Sequence, residues 1–344
     1  NKMSDYIRTI RVEEAVGTVL AHDITRIVPG VSKEVGFKKG HIVRAEDVPE
    51  LLKVGKKHLY ILDLPADRLH ENDAAKRIAA AVADPTLQQK GPHEGKISIK
   101  SPSDGLVKIN TEGLLAINSL DGIVLSTLRT NFRCSRGQVV AGTRILPLTI
   151  DRAAIEAVEA TAKTHWPIIQ VKPFRRLRVG AVVTGSEVYE GLVQDGFDHH
   201  VGRKITALGS VLVRKILVPD DTRRIAAAIR ELMDERCELI LTTGGLSVDP
   251  DDVTRAGVRE AGFNIEFYGS PVLPGAMFLF ARDGRIPLLG LPACVFYHET
   301  TLFDIMLSRI LADDPVTMEE IAAMGHGGLC LQCEVCRYPV CPFG

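Results

Sequence analysis

The chain has 344 residues, enough for two or three domains of ordinary size. Hydrophobic residues make up 45% and charged residues 25%, and the mean hydropathy is +0.08. These values are typical of globular proteins and exclude disordered and collagen-like chains. Basic and acidic side chains number 42 and 43, so the basic excess of a nucleic-acid-binding protein is absent. No stretch approaches the roughly 18 apolar residues of a membrane-spanning helix. Neither nucleic acid nor a membrane is therefore expected as a partner.

The first residues and the use of cysteine bear on the cellular compartment. Residues 1–10 contain no apolar core of a secretory signal, so a reducing, cytoplasmic location is expected. Four of the seven cysteines fall within the last fifteen residues. In a reducing compartment, such a cluster is more typical of a metal site than of disulfides.

The first 85 residues predict a mixed α/β region. Apolar periodicity, punctuated by Pro and Gly, predicts helices over 11–15 and 47–54 and strands over 17–23 and 58–62. A longer helix is predicted over 71–83, because acidic residues open it and Pro85 lies just beyond its end. Residues 90–95, with the sequence KGPHEG, predict a linker.

Residues 96–150 predict a small all-β module. Its β-like runs are separated by Ser-Asp-Gly, Asn-Thr-Glu-Gly and Ser-Arg-Gly turns; the runs are KISIK, GLVKI, GIVLSTL and QVVAGTRILPL. The opening and closing segments resemble the barrel-sandwich domain of biotinyl and lipoyl carriers. Because no lysine occupies a hairpin tip, we interpret the module as a scaffold. A connecting helix is predicted over 152–164.

Strand-like and helix-length segments alternate from residue 176 to residue 315. The predicted strands are RVGAVVT, VLVRKILV, ELILTT, NIEFYG, MFLFA and PLLGL. The predicted helices span 202–208, 222–236, 251–261 and 294–311. Alternation of this kind gives a parallel sheet covered by helices on both faces, so a three-layer α/β domain is expected.

Five loops of this domain share an unusual composition. They are Thr184-Gly185-Ser186-Glu187, Pro219-Asp220-Asp221, Thr242 to Ser247, Leu273-Pro274-Gly275 and Gly290-Leu291-Pro292. Ligands of an open parallel sheet bind where the loops after the strands converge. Glycine N–H groups and helix N-termini favour anions, and hydroxyls add donors, so a phosphate site is predicted. Neither G-x-x-x-x-G-K-[ST] nor G-x-G-x-x-G occurs in these loops, which disfavours an NTPase and a standard dinucleotide site.

Acidic residues accompany these loops: Glu187, Asp220, Asp221, Asp249, Asp251 and Asp252. Carboxylates repel a neighbouring phosphate unless a divalent cation lies between them, so Mg²⁺ is expected. The alternative is that the aspartates and Ser247 only cap helices.

The loop motifs TGSEV, TTGGLSVDPDD, VLPG and GLP follow one another at the spacing of the molybdopterin-binding domain. The chain resembles the molybdopterin molybdenumtransferase branch of that family most, over residues 178–315, and residues 38–62 resemble part of its N-terminal region. The resemblance implies molybdopterin as ligand or substrate, and a role in molybdenum cofactor biosynthesis. It also implies a homodimer, with a molybdoenzyme or a protein of cofactor synthesis as partner.

The resemblance assigns roles to individual residues. Glu187, Asp220 or its neighbour Asp221, and Asp252 match the acidic residues that surround the dithiolene and phosphate of the pterin, with Mg²⁺ and molybdate. The implied pterin-binding residues are Thr184, Gly185, Ser186, Thr243, Gly244, Gly245, Ser247, Pro274, Gly275, Gly290 and Pro292.

Several positions depart from the family pattern. Leu273 and Ala276 replace two lysines beside the Pro-Gly turn, residues 293–295 replace Gly-Asn-Pro, and residues 198–200 replace Asp-Ser/Thr-Asn. Counterparts of two N-terminal segments, M-D-G-Y-A and R-I-M-T-G-A, are absent. Three functions therefore stay open: an enzyme that inserts molybdenum, a carrier or sensor of the pterin, and a scaffold without ligand.

The substituted positions introduce possible soft ligands, namely Cys294, His298, His199 and His200. One hypothesis places them near the metal of the bound cofactor. The alternative is that Cys294 is a buried small hydrophobe and that the histidines lie on surface loops.

The last cysteines, Cys330, Cys333, Cys336 and Cys341, spell C-x2-C-x2-C-x4-C-P within the predicted tail 326–344. The run resembles the bacterial ferredoxin pattern C-x2-C-x2-C-x3-C-P with one added residue. Two C-x2-C pairs also build a structural zinc site, and His326 offers a substitute for one sulfur. The alternatives are thus an iron–sulfur cluster, Zn²⁺, or free thiols.

Overall fold

A computed structural model describes residues 7–28, 32–93, 95–192, 194–246 and 253–344. The chain forms two compact units. Unit 1 consists of residues 1–102, 109–128 and 137–170, and unit 2 of residues 103–108, 129–136 and 171–344. The finer division into four parts remains a prediction. Within the described residues, every helix is too short or too polar to span a membrane.

Secondary structure up to residue 164 comprises the following elements: β1 Ile7–Arg11, β2 Val19–Leu20, β3 Ile24–Val28, β4 Ser32–Phe37, α1 Asp47–Lys53, β5 His58–Leu62, β6 Arg68–His70, α2 Glu71–Val82, β7 Gln88–His93, β8 Lys96–Lys100, β9 Gly105–Ile109, α3 Thr111–Asn118, β10 Ile123–Thr127, β11 Arg133–Cys134, β12 Val139–Ile145, β13 Thr149–Asp151 and α4 Arg152–Thr164. A 3₁₀ turn at Val12–Glu14 occupies the first predicted helix. The predicted helices at 47–54, 71–83 and 152–164 and the strand at 58–62 are confirmed to within a residue.

The remaining elements are β14 Ile169–Pro173, β15 Arg178–Thr184, α5 Ser186–Tyr189, α6 Arg203–Ala207, β16 Val211–Val218, α7 Thr222–Asp234, β17 Leu239–Thr243, α8 Thr254–Glu260, β18 Asn264–Tyr268, β19 Leu279–Asp283, β20 Ile286–Leu291, α9 Leu302–Leu311 and α10 Met318–Ala323. A π-helical turn spans Asp198–Gly202, and a 3₁₀ turn spans Ala293–Phe296.

Unit 1 contains several small antiparallel sheets, with strand orders β1-β5-β2, β3-β4, β13-β6 and β10-β12-β8-β7. The linker predicted at 90–95 is wrong for the residues described there, because β7 runs through residue 93. β7 is an edge strand, and its pairing with β8 shifts register between Lys90 and His93, on either side of Gly91 and Pro92. An edge strand tolerates a proline that a central strand excludes, so the loop-like composition was misleading.

The prediction of an all-β module at 96–150 is also wrong in one place, because α3 replaces the expected Asn-Thr-Glu-Gly turn. The Asn110 side chain caps α3 by accepting a hydrogen bond from the Gly113 backbone N–H at 3.0 Å. Gly113 marks a close contact rather than a turn, since a Cβ there would lie 2.4 Å from Cδ1 of Ile168. The strands of this segment belong to three sheets, including β11-β9-β14, so the barrel-sandwich resemblance is not confirmed.

Unit 2 is organised around a six-stranded sheet of order β16-β15-β17-β20-β19-β18. The first four strands are parallel, as predicted, but β19 is antiparallel to both of its neighbours. The expectation of an entirely parallel sheet is therefore wrong. Asp283 pairs with Ile286, which leaves only two residues to connect β19 to β20. A two-residue loop can join antiparallel strands, whereas a parallel pair needs a crossover of about a dozen residues.

Alternate residues of this sheet enter two different hydrophobic clusters. Val179, Ala181 and Val183 of β15 pack in one cluster with buried residues of α6 and α9, and we call this the α9 cluster. Val182 packs in the second cluster with residues of α7 and α8. Strand residues thus point alternately to two helical neighbourhoods, as the period of a β-strand requires. The α/β fold class predicted from the sequence is confirmed.

The cysteine-rich tail is a folded part of unit 2. Phe343 is only 2% exposed in the α9 cluster, and Cys330, Tyr338 and Cys341 pack against that cluster. The Arg129 guanidinium donates hydrogen bonds to the backbone carbonyls of Pro342 and Phe343. These contacts fix both ends of the segment that contains the four cysteines.

Candidate functional site

The carboxyl ends of four adjacent strands lie at one edge of the sheet of unit 2. Thr184 pairs with Val218, Val183 pairs with Thr243, and Thr243 pairs with Leu291. The next residues along each strand are Gly185, Pro219, Gly244 and Pro292. Four of the five predicted loops therefore start side by side, as the strand–loop pattern predicted.

The fifth loop reaches the same edge because β19 is antiparallel. Leu279, the first residue of β19, lies opposite Gly290 near the end of β20. Residues 274 and 275 therefore precede β19 at the edge where β20 ends. Gly275 has φ of +135°, and a Cβ on it would lie 2.6 Å from Cβ of Leu302 in α9. We call residues 184–186, 219–221, 243–245, 274–275 and 292 together the rim.

Two of the predicted pterin-binding glycines, Gly244 in the rim and Gly290 in β20, have different surroundings. Gly244 has φ of +86°, and a Cβ on it would lie 2.4 Å from the carbonyl oxygen of Thr184, so the two loops approach at backbone distance. Gly290 lies in β20 rather than in a loop, and a Cβ on it would meet the buried side chains of Leu279 and Leu246. Gly290 therefore permits packing of buried side chains, whereas Gly244 permits two rim loops to approach closely.

The threonine hydroxyls at the rim are also distinct. The Thr184 hydroxyl donates a hydrogen bond to the Thr243 carbonyl at 2.9 Å, so it joins neighbouring strands. The Thr242 and Thr243 hydroxyls are buried and have no hydrogen-bond partner among the described residues. A buried hydroxyl without a partner is costly. Thr243, at the end of β17, is therefore a better candidate for contact with a ligand than Thr184, whose hydroxyl already has a partner. Thr242 was not singled out from the sequence, where nothing distinguishes it from a strand residue.

Asp220 and Asp221 have different partners. Oδ2 of Asp220 accepts hydrogen bonds from the backbone N–H of Ser186 at 2.9 Å and from its hydroxyl at 3.3 Å. Oδ1 of Asp221 accepts from the Arg224 backbone N–H at 2.9 Å and caps α7. The capping alternative therefore holds for Asp221, whereas Asp220 links two loops of the rim.

The remaining acidic residues and Ser247 follow β15 and β17 in the sequence. Ser247 and Asp252, with Asp249 and Asp251, lie outside the described residues. Glu187 lies within α5, directly after Ser186. Their assigned roles remain predictions.

The hypothesis of soft ligands near the rim gains no support. The rings of His199 and His200 lie edge to face at 4.7 Å, and the His200 ring packs against Phe296 at 5.9 Å. Burial raises the pKa of the Cys294 thiol, which disfavours the thiolate that a metal requires. The alternative of a buried Cys294 and histidines on surface loops is met only in part, because Cys294 is half-buried and both histidines lie in the π-helical turn Asp198–Gly202. Within the described parts of the chain, no three His, Cys, Asp or Glu side chains are placed to hold a metal ion.

The four tail cysteines line a single cavity of about 360 Å³. Its wall also includes Tyr297, His298, Glu299 and Thr300, which follow the rim residue Pro292 along the chain. The Thr300 hydroxyl lies 3.0 Å from Sγ of Cys336, and the Gln332 backbone N–H donates to Sγ of Cys330 at 3.5 Å. His326 does not line this cavity. The thiols thus face a common space, although they do not converge on one ion.

The tail is hydrogen-bonded to the chain just before the rim residues Pro274 and Gly275. The Cys330 backbone N–H donates to the Leu273 carbonyl at 2.8 Å, and the Leu273 N–H donates to the Gly328 carbonyl at 2.8 Å. Leu273 occupies a position where the resemblance leads one to expect a lysine, and its side chain is exposed. The departure from the family pattern therefore coincides with the attachment of the tail.

Comparison with known proteins identifies two matching regions. Residues 180–314 match the family described as "Probable molybdopterin binding domain", and residues 9–63 match a domain of unknown function. The resemblance inferred from the loop motifs is thereby confirmed for the central part of unit 2. These residues belong to the molybdopterin-binding domain family.

Individual relatives cover different shares of the chain. Molybdopterin molybdenumtransferase of Haemophilus influenzae is 23% identical over 292 residues, which are 82% of this chain and 67% of that protein. Protein LS215_2186 of Saccharolobus islandicus is 37% identical over 86 residues, which are 25% of this chain and 33% of that protein. The chain thus spans a third of the latter protein.

Solved structures from Pyrococcus align with about nine tenths of the chain. The molybdopterin biosynthesis MoeA protein from Pyrococcus horikosii aligns with 89% of this chain and 75% of its own, at 14% identity and a TM-score of 0.34.

Proposed function

We propose that unit 2 binds molybdopterin at the rim and that the protein acts in molybdenum cofactor biosynthesis. The observation that carries this proposal is the register of β16, β15, β17 and β20, which brings four loops to one edge, and the loops after β15 and β17 are rich in Gly, Ser and Thr. The match of residues 180–314 to the molybdopterin-binding family supports the choice of ligand.

The phosphate of the pterin would be bound mainly by backbone groups. Gly185, Gly244 and Gly245 all have positive φ and present N–H groups without a Cβ beside them. The unpartnered Thr243 hydroxyl would add a donor from the end of β17. Because these groups are held by the sheet register, they need little rearrangement when the ligand binds.

The acidic residues near the rim would bind the metal ion that accompanies the ligand. Glu187, Asp220 and Asp252 are proposed to hold Mg²⁺, which would neutralise charge between carboxylates and phosphate. Molybdate would be a substrate. Among the described residues, no group of three is placed to hold an ion.

A second function, a pterin carrier or sensor without turnover, is favoured by one observation. The exposed Leu273 occupies a position where a lysine would attract an anion. The backbone of Leu273 is hydrogen-bonded to Gly328 and Cys330 of the tail. Loss of two cations beside a phosphate lowers affinity and removes groups that stabilise a reacting anion.

Anaerobic incubation of the complete chain with adenylylated molybdopterin, molybdate and Mg²⁺ separates these functions. Turnover to the molybdenum-containing cofactor supports the transferase, and tight binding without product supports the carrier or sensor. Absence of binding to molybdopterin in either form would contradict both and leave only the scaffold.

The implied assembly and surroundings are also proposals. We expect a homodimer in solution, which sedimentation equilibrium of the purified chain tests directly. A molybdoenzyme or a protein of cofactor synthesis is the proposed partner, and the cytoplasm is the proposed location.

A further inference from the structure

We propose that Cys330, Cys333, Cys336 and Cys341 hold a four-iron iron–sulfur cluster in the cavity that they line. The proposal concerns a second site of unit 2 and does not depend on molybdopterin binding at the rim. It rests on the placement of the four thiols, the size of the cavity, and the groups around the sulfurs.

The fold of the tail brings the four cysteines to one cavity. Residues 330–341 fold so that all four cysteines border one space, although up to ten residues separate them along the chain. Both ends of this segment are anchored: Cys330 is bonded to Leu273, and Phe343 is buried in the α9 cluster. A free tail would not bring four thiols to one cavity, because ordering each residue costs about 1–2 kcal/mol of conformational entropy.

The size of the cavity favours a cluster over a single ion. Every ligand of one zinc ion lies about 2.3 Å from the metal, so the four sulfurs must converge closely. Among the described residues no three ligand side chains are placed to hold an ion, so the thiols would have to move together around either metal. Each sulfur that binds a four-iron cluster contacts a different iron, so its ligands surround a larger volume. A cavity of about 360 Å³ suits the cluster better than a bare ion.

Polar groups surround two of the sulfurs. The Gln332 N–H donates to Sγ of Cys330, and the Thr300 hydroxyl lies 3.0 Å from Sγ of Cys336, where it can donate to a thiolate. Hydrogen bonds to cysteine sulfur stabilise an anionic cluster. Arg337 lines the cavity and supplies a positive charge. Leu329, Tyr338 and Phe343 complete the lining.

The test begins with the complete chain, purified without oxygen and reconstituted with ferrous iron, sulfide and a thiol reductant. We expect about four iron and four sulfide per chain, broad visible absorption, and an electron paramagnetic resonance signal after reduction with dithionite. One zinc per chain, with no iron bound after reconstitution, would overturn the proposal. Chain that binds neither metal would overturn it as well.

Variants locate the cluster within the chain. Cys333 and Cys336 are exposed, so C333S and C336S are expected to fold and to lose most of the iron and the visible absorption. The matched control is C237S, since Cys237 is buried beside Gly180 on the α7 side of the sheet and lies outside the cavity. Full iron content in C333S and C336S would contradict the assignment of these ligands. Molybdopterin binding, measured on the same samples, reports on the rim separately.

Discussion

Cys330 donates its backbone N–H to the carbonyl oxygen of Leu273 at 2.8 Å, and Leu273 immediately precedes the rim residues Pro274 and Gly275. Leu273 also forms a parallel bridge with Leu329. The cysteine cavity and the rim are therefore connected by backbone hydrogen bonds, and not only by proximity along the chain.

This connection predicts that a ligand at the rim stabilises the start of the tail. Addition of molybdopterin is expected to slow hydrogen exchange of the amides of Leu273 and Cys330, because opening their bonds would disturb the loop at Gly275. Hydrogen-exchange mass spectrometry of peptides that cover 271–276 and 328–333 measures this effect. Protection confined to the loops at 184–186 and 243–245 would show that the tail is not coupled to the ligand.

The tail is predicted to contribute to the stability of unit 2. Removing the buried ring in F343A leaves a cavity in the α9 cluster and should lower the free energy of unfolding by about 3 kcal/mol. The control L331A changes a side chain that is 68% exposed and should alter stability by less than about 0.5 kcal/mol. Chemical denaturation measures both. Equal stability of F343A and the unaltered protein would mean that the tail is not packed as described.

The neighbouring aspartates of the rim form a matched pair. D220N is expected to weaken Mg²⁺-dependent binding of molybdopterin about tenfold, because it removes a charge that bridges the loops at Ser186 and Pro219. D221N keeps a capping oxygen for α7 and should bind almost normally, since Asn caps helices about as well as Asp. Isothermal titration with and without Mg²⁺ tests the pair. Similar losses in the two variants would contradict the separate roles.

Thr184 and Thr243 are expected to respond oppositely to loss of their hydroxyls. T184V removes the hydrogen bond to the Thr243 carbonyl and should cost about 1 kcal/mol of stability. T243V removes a buried hydroxyl that has no partner among the described residues, so the unliganded protein should be as stable or slightly more stable. Molybdopterin affinity should fall in T243V. Thermal melting with and without ligand checks both, and unchanged affinity of T243V would remove its proposed role.

Acid is predicted to destabilise unit 2 through Asp314. Burial raises the pKa of this carboxyl, but hydrogen bonds from Lys172 and Lys108 and the charge of Arg309 outweigh burial and hold the pKa below its usual value. A lowered pKa means that the stabilisation is complete above the unfolded value, about 3.9, and disappears as the pH falls through the folded value.

Substitutions at Asp314 and at its neighbour Asp313 distinguish the contributions of the two carboxyls to stability. D314N should lower stability at neutral pH by about 3 kcal/mol, because the guanidinium of Arg309 is buried and loses a charged partner. D314N should also flatten the dependence of stability on pH below about 4. The control D313N alters an exposed carboxylate and should change little. An acid transition of unchanged steepness in D314N would assign the acid sensitivity to other groups.

Local patterns predicted most of the individual elements. Helix α2 was predictable because its acidic start, its helix-forming residues and Pro85 all act within a few residues of one another. Helix α3 was missed because Gly113 was interpreted as a turn residue, whereas its lack of a Cβ permits contact with Ile168. That contact joins segments far apart in the sequence and leaves no local signal.

The strands and the loops that follow them were determined by the sequence itself, since apolar runs and Gly-rich breaks are local properties of the chain. Tertiary structure alone decided the partners of two rim groups: Asp220 accepts hydrogen bonds from Ser186, and Thr184 donates one to Thr243. It also decided that β19 runs antiparallel, which brings Gly275 to the rim, and that the four cysteines face one cavity. The physical reason is that strand pairing and side-chain packing join residues distant in sequence, and their geometry depends on every element between them.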